Sequence, residues 1–235
     1  MTMRTKPTLA RRVPPLVALA VSYTLLVVVG VAALFRHTGL SDLGVANPFG
    51  QSEEARQFFS SNSEAARVGG FFCFVSAIPL VMYTATIVAR LQFLGARHAG
   101  VYTAFAGGIA ASGGLAAAGL FLWSLSVPEV AASLPTARAL HFLVFLCGGP
   151  AFAVGAGLLA GGASISGHRA SVLPRWVVGL GLLLATTGAL STLGLLSIPM
   201  TFPIPITRVG GVIWLMAVGA TLPDSTPTVS VDRTR

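Results

Sequence analysis

The sequence contains few charged residues. Asp, Glu, Lys and Arg make up 9% of its 235 residues, whereas 54% are hydrophobic. A water-soluble domain carries about 25% charged residues, and a soluble fold of this size could not cover its surface with so few. The low charge content excludes an ordinary soluble domain and indicates that a lipid bilayer surrounds most of the surface.

Carboxylates and lysines are scarce as well. The chain has seven Asp and Glu residues and a single lysine, Lys6, and none of them lies inside a long apolar run. Membrane proton pumps and cation-coupled transporters use carboxylates within their spans, and acid–base catalysis needs similar groups. A retinal Schiff base needs an intramembrane lysine, and no HExxH zinc motif is present. These absences disfavour proton pumps, cation-coupled transporters, acid–base enzymes, retinal proteins and zinc proteases.

The chain also has little cysteine and histidine. Cys73 and Cys147 both lie in apolar runs and form no CxxC motif, so neither a disulfide framework nor a redox motif is indicated. Of the four histidines, only His141 lies near a predicted span, whereas a bis-histidine haem needs two facing rings. We therefore predict no metal and no cofactor. An intramembrane enzyme using His141, Cys73 or Tyr83 is the weakest functional hypothesis.

Six apolar runs are long enough to cross a bilayer, which takes about 20 residues of helix. Abundant glycine without strand-like alternation favours helices over a barrel. We predict an all-α membrane protein with a six-helix domain over residues 13–223, an outer loop over 36–66, and cytoplasmic tails at 1–12 and 224–235. The predicted spans are 14–35, 67–89, 101–126, 138–162, 174–198 and 205–222.

The basic residues predict the orientation. They cluster before the first span, between the second and third, and between the fourth and fifth, and such segments are retained in the cytoplasm. We therefore predict three helical hairpins with both termini inside, in a bacterial inner membrane. The net charge of +8 follows from this pattern. Because the charges mark the ends of apolar runs, no nucleic-acid partner is expected.

Turn signals predict further detail in the outer connections. Short helices are expected over residues 52–59 and between Ser126 and Pro135, and Ser61 with Glu64 has the pattern of a capping box that opens the second span. Small residues also recur every four positions, which lets helices approach closely in lipid. The clearest stripe, in the fourth span, is Gly149, Ala153, Gly157 and Gly161.

An internal repeat marks the even-numbered spans. Arg67 and Arg208 each open an Arg-Val-Gly-Gly run, and Arg138 lies at the equivalent place in the fourth span. Pro79 and Pro150 each follow their arginine by twelve residues, whereas the sixth span has no proline at that offset. The repeat is consistent with three hairpins built on one packing solution.

The three arginines are the candidate ligand-binding residues. Each lies in the opening turns of a helix, where the dipole disfavours a cation. One hypothesis is that Arg67, Arg138 and Arg208, together with His141, converge on an anionic ligand, with Pro79 and Pro150 as hinge or pocket positions. The alternative is that each arginine reaches separately to lipid phosphates or to loop carboxylates.

The C-terminal half carries a resemblance. Four stretches carry it: Arg138-Ala-Leu-His141, Cys147-Gly-Gly-Pro150, Leu173-Pro-Arg-Trp176 and Thr207-Arg-Val-Gly-Gly211. They resemble a bacterial family of small polytopic membrane proteins whose function is unknown. The first half resembles it in hydropathy only. The resemblance implies a six-helix inner-membrane protein and brings no catalytic residues with it.

Two functional hypotheses stand ahead of the enzyme. The leading one is a protein that binds or conducts a small anionic or amphipathic molecule, or a lipid, from the outer side. The other is a structural or accessory subunit of a larger membrane complex, held by its small-residue stripes. Membrane lipids are the expected partners, with a homo-oligomer or a larger complex as further possibilities.

Overall fold

The computed structural model describes residues 15–35, 49, 52–197 and 201–223, and these ranges contain helices and no strand. A π-helical turn, Cys147–Ala151, joins α6 to α7, and a 3-10 turn, Ser191–Leu195, follows α8. The helices are α1 Leu16–Phe35, α2 Ser52–Ser61, α3 Ser63–Phe93, α4 Ala99–Ser124, α5 Pro128–Ala132, α6 Leu134–Leu146, α7 Phe152–Arg169, α8 Arg175–Leu190 and α9 Pro203–Thr221.

Six helices in the described ranges are long and apolar enough to cross a membrane, which confirms the predicted all-α fold with six candidate spans. The hairpin arrangement and the orientation stay predictions. Four of the six helices match the predicted spans closely. The second and fourth are longer than predicted, at Ser63–Phe93 and Leu134–Arg169, because polar turns continue a helix beyond its apolar segment. The predicted tails and residues 36–48, 50–51 and 198–200 lie outside the described residues.

The spanning helices form a closed ring in chain order. α1 packs against α3, α3 against α4, α4 against α7, α7 against α8, and α8 against α9, which returns to α1. Two large buried side chains tie the ring together across its interior. Tyr83 Oη donates to the Leu215 carbonyl oxygen at 2.8 Å, and Trp214 Nε1 donates to Ser164 Oγ at 3.2 Å.

Glycine allows the helices to approach closely. A Cβ atom added to Gly107 on α4 would lie 2.5 Å from the Leu159 backbone nitrogen on α7. Similarly, a Cβ added to Gly157 on α7 would lie 2.9 Å from the Leu184 carbonyl oxygen on α8. The small-residue stripe predicted for the fourth span therefore packs inside the bundle, where glycine permits contacts between backbones.

The second and fourth spans end in the same way. Gly95 follows α3 with φ of +93°, and Ser171 follows α7 with φ of +55°. After each of them, the next backbone N–H donates to the carbonyl five residues earlier at 2.9 Å. In this left-handed ending, backbone N–H groups donate hydrogen bonds to carbonyl oxygens of the last helical turn. The two helices therefore end with the same backbone geometry.

The short helices α2 and α5 confirm the two helices predicted in the outer connections. The predicted capping box is wrong. α2 runs to Ser61, so Ser61 is still helical, and the residue before α3 is Asn62, whose side chain forms no cap bond. Asn62 Nδ2 donates instead to the Phe58 carbonyl oxygen at 3.0 Å.

One ion pair lies on α2. Arg56 Nε donates to Glu53 Oε1 at 2.9 Å, and this hydrogen bond lowers the pKa of Glu53. Both side chains are solvent-exposed, so the pair lies on the surface of α2.

Candidate functional site

The three repeat arginines lie in different environments. Arg67 on α3 and Arg138 on α6 are exposed, and Arg138 Cζ lies 5.9 Å from the centroid of the Phe142 ring. Arg208 on α9 is half-buried and reaches into the bundle. Within the described residues, no hydrogen bond or ion pair joins any two of the three. Their convergence on one ligand stays a prediction.

Arg208 binds the π-helical turn between α6 and α7. Its Nη2 donates to the carbonyl oxygen of Gly148, and its Cζ lies 5.4 Å from the centroid of the Phe152 ring. A guanidinium over an aromatic face is attracted by the ring quadrupole. Arg208 is therefore held from two sides by residues that sequence inspection placed in a different hairpin.

The π-helical turn explains why Gly148 offers its carbonyl. In a regular α-helix the Phe152 N–H would bond to Gly148, but it donates instead to Cys147 and Gly149. Pro150, inside the turn, has no N–H to donate. A π turn of this kind often marks a functional position in a helix. Here it presents a carbonyl oxygen to Arg208.

Gly148 also has to be small. A Cβ atom added there would lie 3.2 Å from Ala118 Cβ and 3.2 Å from Arg208 Nη2. A larger residue would push α4 or the guanidinium away. The contact with Ala118 also fixes the depth of the site. Ala118 lies six residues before the end of α4 at Ser124, which is about 9 Å along a helix that rises 1.5 Å per residue.

The Arg208 guanidinium thus lies deeper in the bundle than the ends of the helices that surround it. A charged side chain inside a membrane span is costly, up to about 2.5–3.5 kcal/mol at the centre of the span on insertion scales. Within the described residues the only ion pair is Arg56 with Glu53, so no described carboxylate neutralises Arg208. The Gly148 carbonyl satisfies one N–H but carries no charge. Arg208 is consequently a cation without a described counter-ion.

Arg208 lies at the base of an apolar groove with a volume of about 170 Å³. Apart from Arg208 and Cys73, the side chains that line the groove are apolar. They come from α1, α4 and α6, among them Val27, Val31, Leu34, Leu115, Leu122 and Val144. The groove combines a single cation with hydrocarbon walls, an arrangement that suits an amphipathic anion.

A second, smaller cavity touches the other side of Arg208. It measures about 20 Å³ and is lined by Tyr23, Thr207 and Trp214 among others. This volume suffices for about one water molecule, which needs polar partners of this kind. Thr207 Oγ1 lies 3.0 Å from Thr187 Oγ1 at the same level. Arg208 therefore lines both the apolar groove and this smaller, mostly apolar cavity.

The other predicted positions lie apart from the groove lining. His141 is buried, and its ring centroid lies 5.3 Å from that of Phe59 in an edge-on contact beneath α2. Pro79 is buried inside α3. Pro150 belongs to the π-helical turn and thereby shapes the Gly148 contact. Their predicted roles in ligand binding or hinge motion are not tested by these positions.

The residues considered for catalysis do not meet. Cys73 Sγ contacts the Leu115 carbonyl oxygen at 3.5 Å, whereas Tyr83 Oη bonds to Leu215 and His141 packs on Phe59. In the part of the chain that is described, no three His, Cys, Asp or Glu residues lie close enough to hold a metal ion. The described geometry brings together no catalytic pair from this set.

Sequence reasoning missed the Gly148 carbonyl and the groove wall formed by α1. The run Gly148-Gly149-Pro150 was the available signal, because two glycines before a proline weaken a regular helix. Nothing in the sequence paired that run with Arg208, which lies 60 residues further along the chain.

Comparison with family models, curated proteins and solved structures found no match for this chain. The resemblance to the six-helix bacterial family therefore stays a prediction, and the function has to be inferred from the site itself.

Proposed function

We propose that this chain is a multi-pass protein of the bacterial inner membrane that binds or conducts a small anionic or amphipathic molecule, or a lipid, from the outer side. Arg208 is the proposed anion-binding residue. The observation that carries the proposal is the half-buried guanidinium without a described counter-ion at the base of an apolar groove.

The chemistry of the site favours an anion. An arginine fork binds carboxylate or phosphate through two parallel N–H···O bonds. The attraction between opposite charges is stronger in the low-dielectric surroundings of a membrane bundle than in water. A bound anion would neutralise Arg208 and exchange with, or add to, the Gly148 carbonyl. The apolar walls would accommodate the hydrocarbon part of the same molecule.

Arg67 and Arg138 have a different role in this proposal. Both are exposed, and neither lines the groove. An exposed arginine near a helix end can reach lipid phosphates, so we propose that these two residues anchor their helices at the interface and do not bind the ligand. His141 and Phe59 contact each other and hold α2 against α6.

The orientation is also a proposal. We propose three hairpins with both termini in the cytoplasm, on the basis of the positive-inside pattern. Arg90 and Arg97 lie between α3 and α4, whereas Arg169 and Arg175 lie between α7 and α8. In an up-and-down ring these two connections share one side, and the groove with α2 and α5 lies towards the other.

Cysteine labelling in intact cells tests this orientation. In a variant without Cys73 and Cys147, a membrane-impermeant maleimide is expected to label Ser133→Cys in intact cells. It is expected to label Ala99→Cys only after lysis. Both positions lie at helix ends near an aqueous boundary, and Ala99 avoids the left-handed backbone of Gly95. The reverse labelling pattern would reject the proposed orientation.

Head-group selectivity tests the proposed function. Protein in nanodiscs of zwitterionic lipid is expected to bind laurate at least tenfold more tightly than dodecanol, because the two share a chain length and differ in charge. Competition against radiolabelled laurate in a scintillation proximity assay gives both affinities. Equal affinities would mean that the protein does not select an anion, which contradicts the proposal.

One observation favours the alternative function, an accessory subunit of a larger membrane complex. Gly113 on α4 is exposed, and a Cβ added there would meet no atom within 4 Å. It borders a shallow apolar groove of about 400 Å³ with Ile78, Met82 and Ile109. A helix of another subunit could pack there in the manner of small-residue interfaces. Gly157, by contrast, is already packed against α8.

A further inference from the structure

We infer that the ligand of Arg208 is a single-chain amphiphile with one small anionic head group, which enters the groove sideways from the bilayer between α1 and α6. This inference rests on the proposed function and adds the ligand class and its path. It follows from the walls of the groove, their exposure and the number of polar groups that they offer.

Among the described residues, the groove is open along its side. α1 packs against α3 and α9, which are its main neighbours in the bundle. Val27, Val31 and Leu34 of α1 line the groove together with Val144 of α6, and we place the opening between these two helices. Val31 lines the groove and is still 42% exposed.

The exterior next to that opening is apolar. Leu25 and Val28 on α1 and Leu143 on α6 are large hydrophobic side chains exposed on the surface of the bundle. A surface of this kind on a spanning helix faces hydrocarbon. A molecule that passes between α1 and α6 therefore comes from the bilayer, with its chain already in an apolar medium.

The dimensions and chemistry of the groove restrict the ligand. Its volume of about 170 Å³ is smaller than the roughly 300–1,000 Å³ of typical small-molecule sites. Among the described residues, Arg208 is the only charged lining residue, and Cys73 is the only other lining side chain with a polar atom. A sugar-bearing or polyanionic head group would lose its hydrogen bonds there. A carboxylate or a single phosphate needs no further polar partner, and the rest of its acyl chain can extend through the side opening into the bilayer.

Two valines on α1 provide a matched test of the path. Val31 lines the groove and Val29 does not, although they are 42% and 43% exposed, respectively. Phenylalanine at residue 31 would narrow the opening, whereas phenylalanine at residue 29 would only extend into lipid. Because both positions are exposed, both variants are expected to fold, which thermal unfolding in detergent verifies.

The experiment measures the rate of laurate association with protein in zwitterionic nanodiscs for the Val31→Phe and Val29→Phe variants, with butyrate as a water-soluble competitor of bound laurate. We expect Val31→Phe to slow laurate association at least tenfold, Val29→Phe to change it less than twofold, and butyrate not to displace laurate at equal aqueous concentration. Equal effects of the two variants would overturn the lateral path. Displacement by butyrate would overturn the bilayer origin of the ligand.

These outcomes are separable from failure of the proposed function. If Arg208→Gln leaves laurate binding unchanged, the anion site itself is wrong. If Arg208→Gln abolishes binding while Val31→Phe and Val29→Phe behave alike, the anion site holds and only the lateral path is rejected.

Discussion

Replacing Arg208 by glutamine is expected to weaken laurate binding at least tenfold, which corresponds to about 1.4 kcal/mol or more of binding free energy. Glutamine keeps an N–H donor that can reach towards Gly148, but it removes the positive charge from the base of the groove. Dodecanol has no charge to lose, so its weak binding should stay unchanged. The measurement is the competition assay in zwitterionic nanodiscs.

The internal repeat supplies matched controls for this substitution. Arg67→Gln and Arg138→Gln remove the same charge from equivalent positions, but both residues are exposed and lie outside the groove lining. We expect each to change laurate affinity by about twofold or less, because exposed charges are screened by solvent and salt. Equal losses from all three substitutions would mean that the arginines act only as a general attraction for anions.

Replacing Gly107 by leucine is expected to destabilise the bundle by about 3 kcal/mol, at the upper end of the usual overpacking cost. A Cβ atom at this position would lie 2.5 Å from the Leu159 backbone nitrogen and 2.7 Å from the Gly155 carbonyl oxygen. Backbone atoms of α7 cannot rotate away as a side chain can, so the two helices must separate. Thermal unfolding in detergent, followed by tryptophan fluorescence, measures the loss.

Gly113 on the same helix is the control for that substitution. A Cβ atom added at Gly113 meets no atom within 4 Å, and leucine replaces a poor helix former with a good one. Its unfolding temperature is expected to equal or slightly exceed that of the unchanged protein. If Gly107→Leu and Gly113→Leu unfold at the same temperature, the close contact between α4 and α7 does not contribute to stability as described.

Hydropathy predicted the spanning helices because burial in lipid requires long apolar runs whatever their neighbours are. It could not predict the polar turns that extend α3 to Ser63 and Phe93, since backbone hydrogen bonding continues beyond the apolar segment. The predicted capping box at Ser61 failed for a related reason. A second helix, α2, runs through that residue and leaves it helical.

The candidate site was predictable only in part. The repeat singled out Arg208, but it treated Arg67 as its equivalent because both open an Arg-Val-Gly-Gly run. The difference between them arises from long-range contacts. Arg208 meets the π-helical turn at Gly148 and the Phe152 ring, whereas Arg67 is exposed. Local sequence carries no information about which distant carbonyl an arginine will reach.

The central claim is that Arg208 binds the anionic head of an amphiphile in the groove beside α1. The most direct measurement is an experimental density map of the protein in nanodiscs saturated with laurate. The account predicts head-group density within hydrogen-bond distance of the Arg208 guanidinium, continuing as a chain between Val31 and Val144. An empty groove at saturating laurate, with Arg208 bonded to Gly148 alone or to a carboxylate of the chain itself, would contradict it.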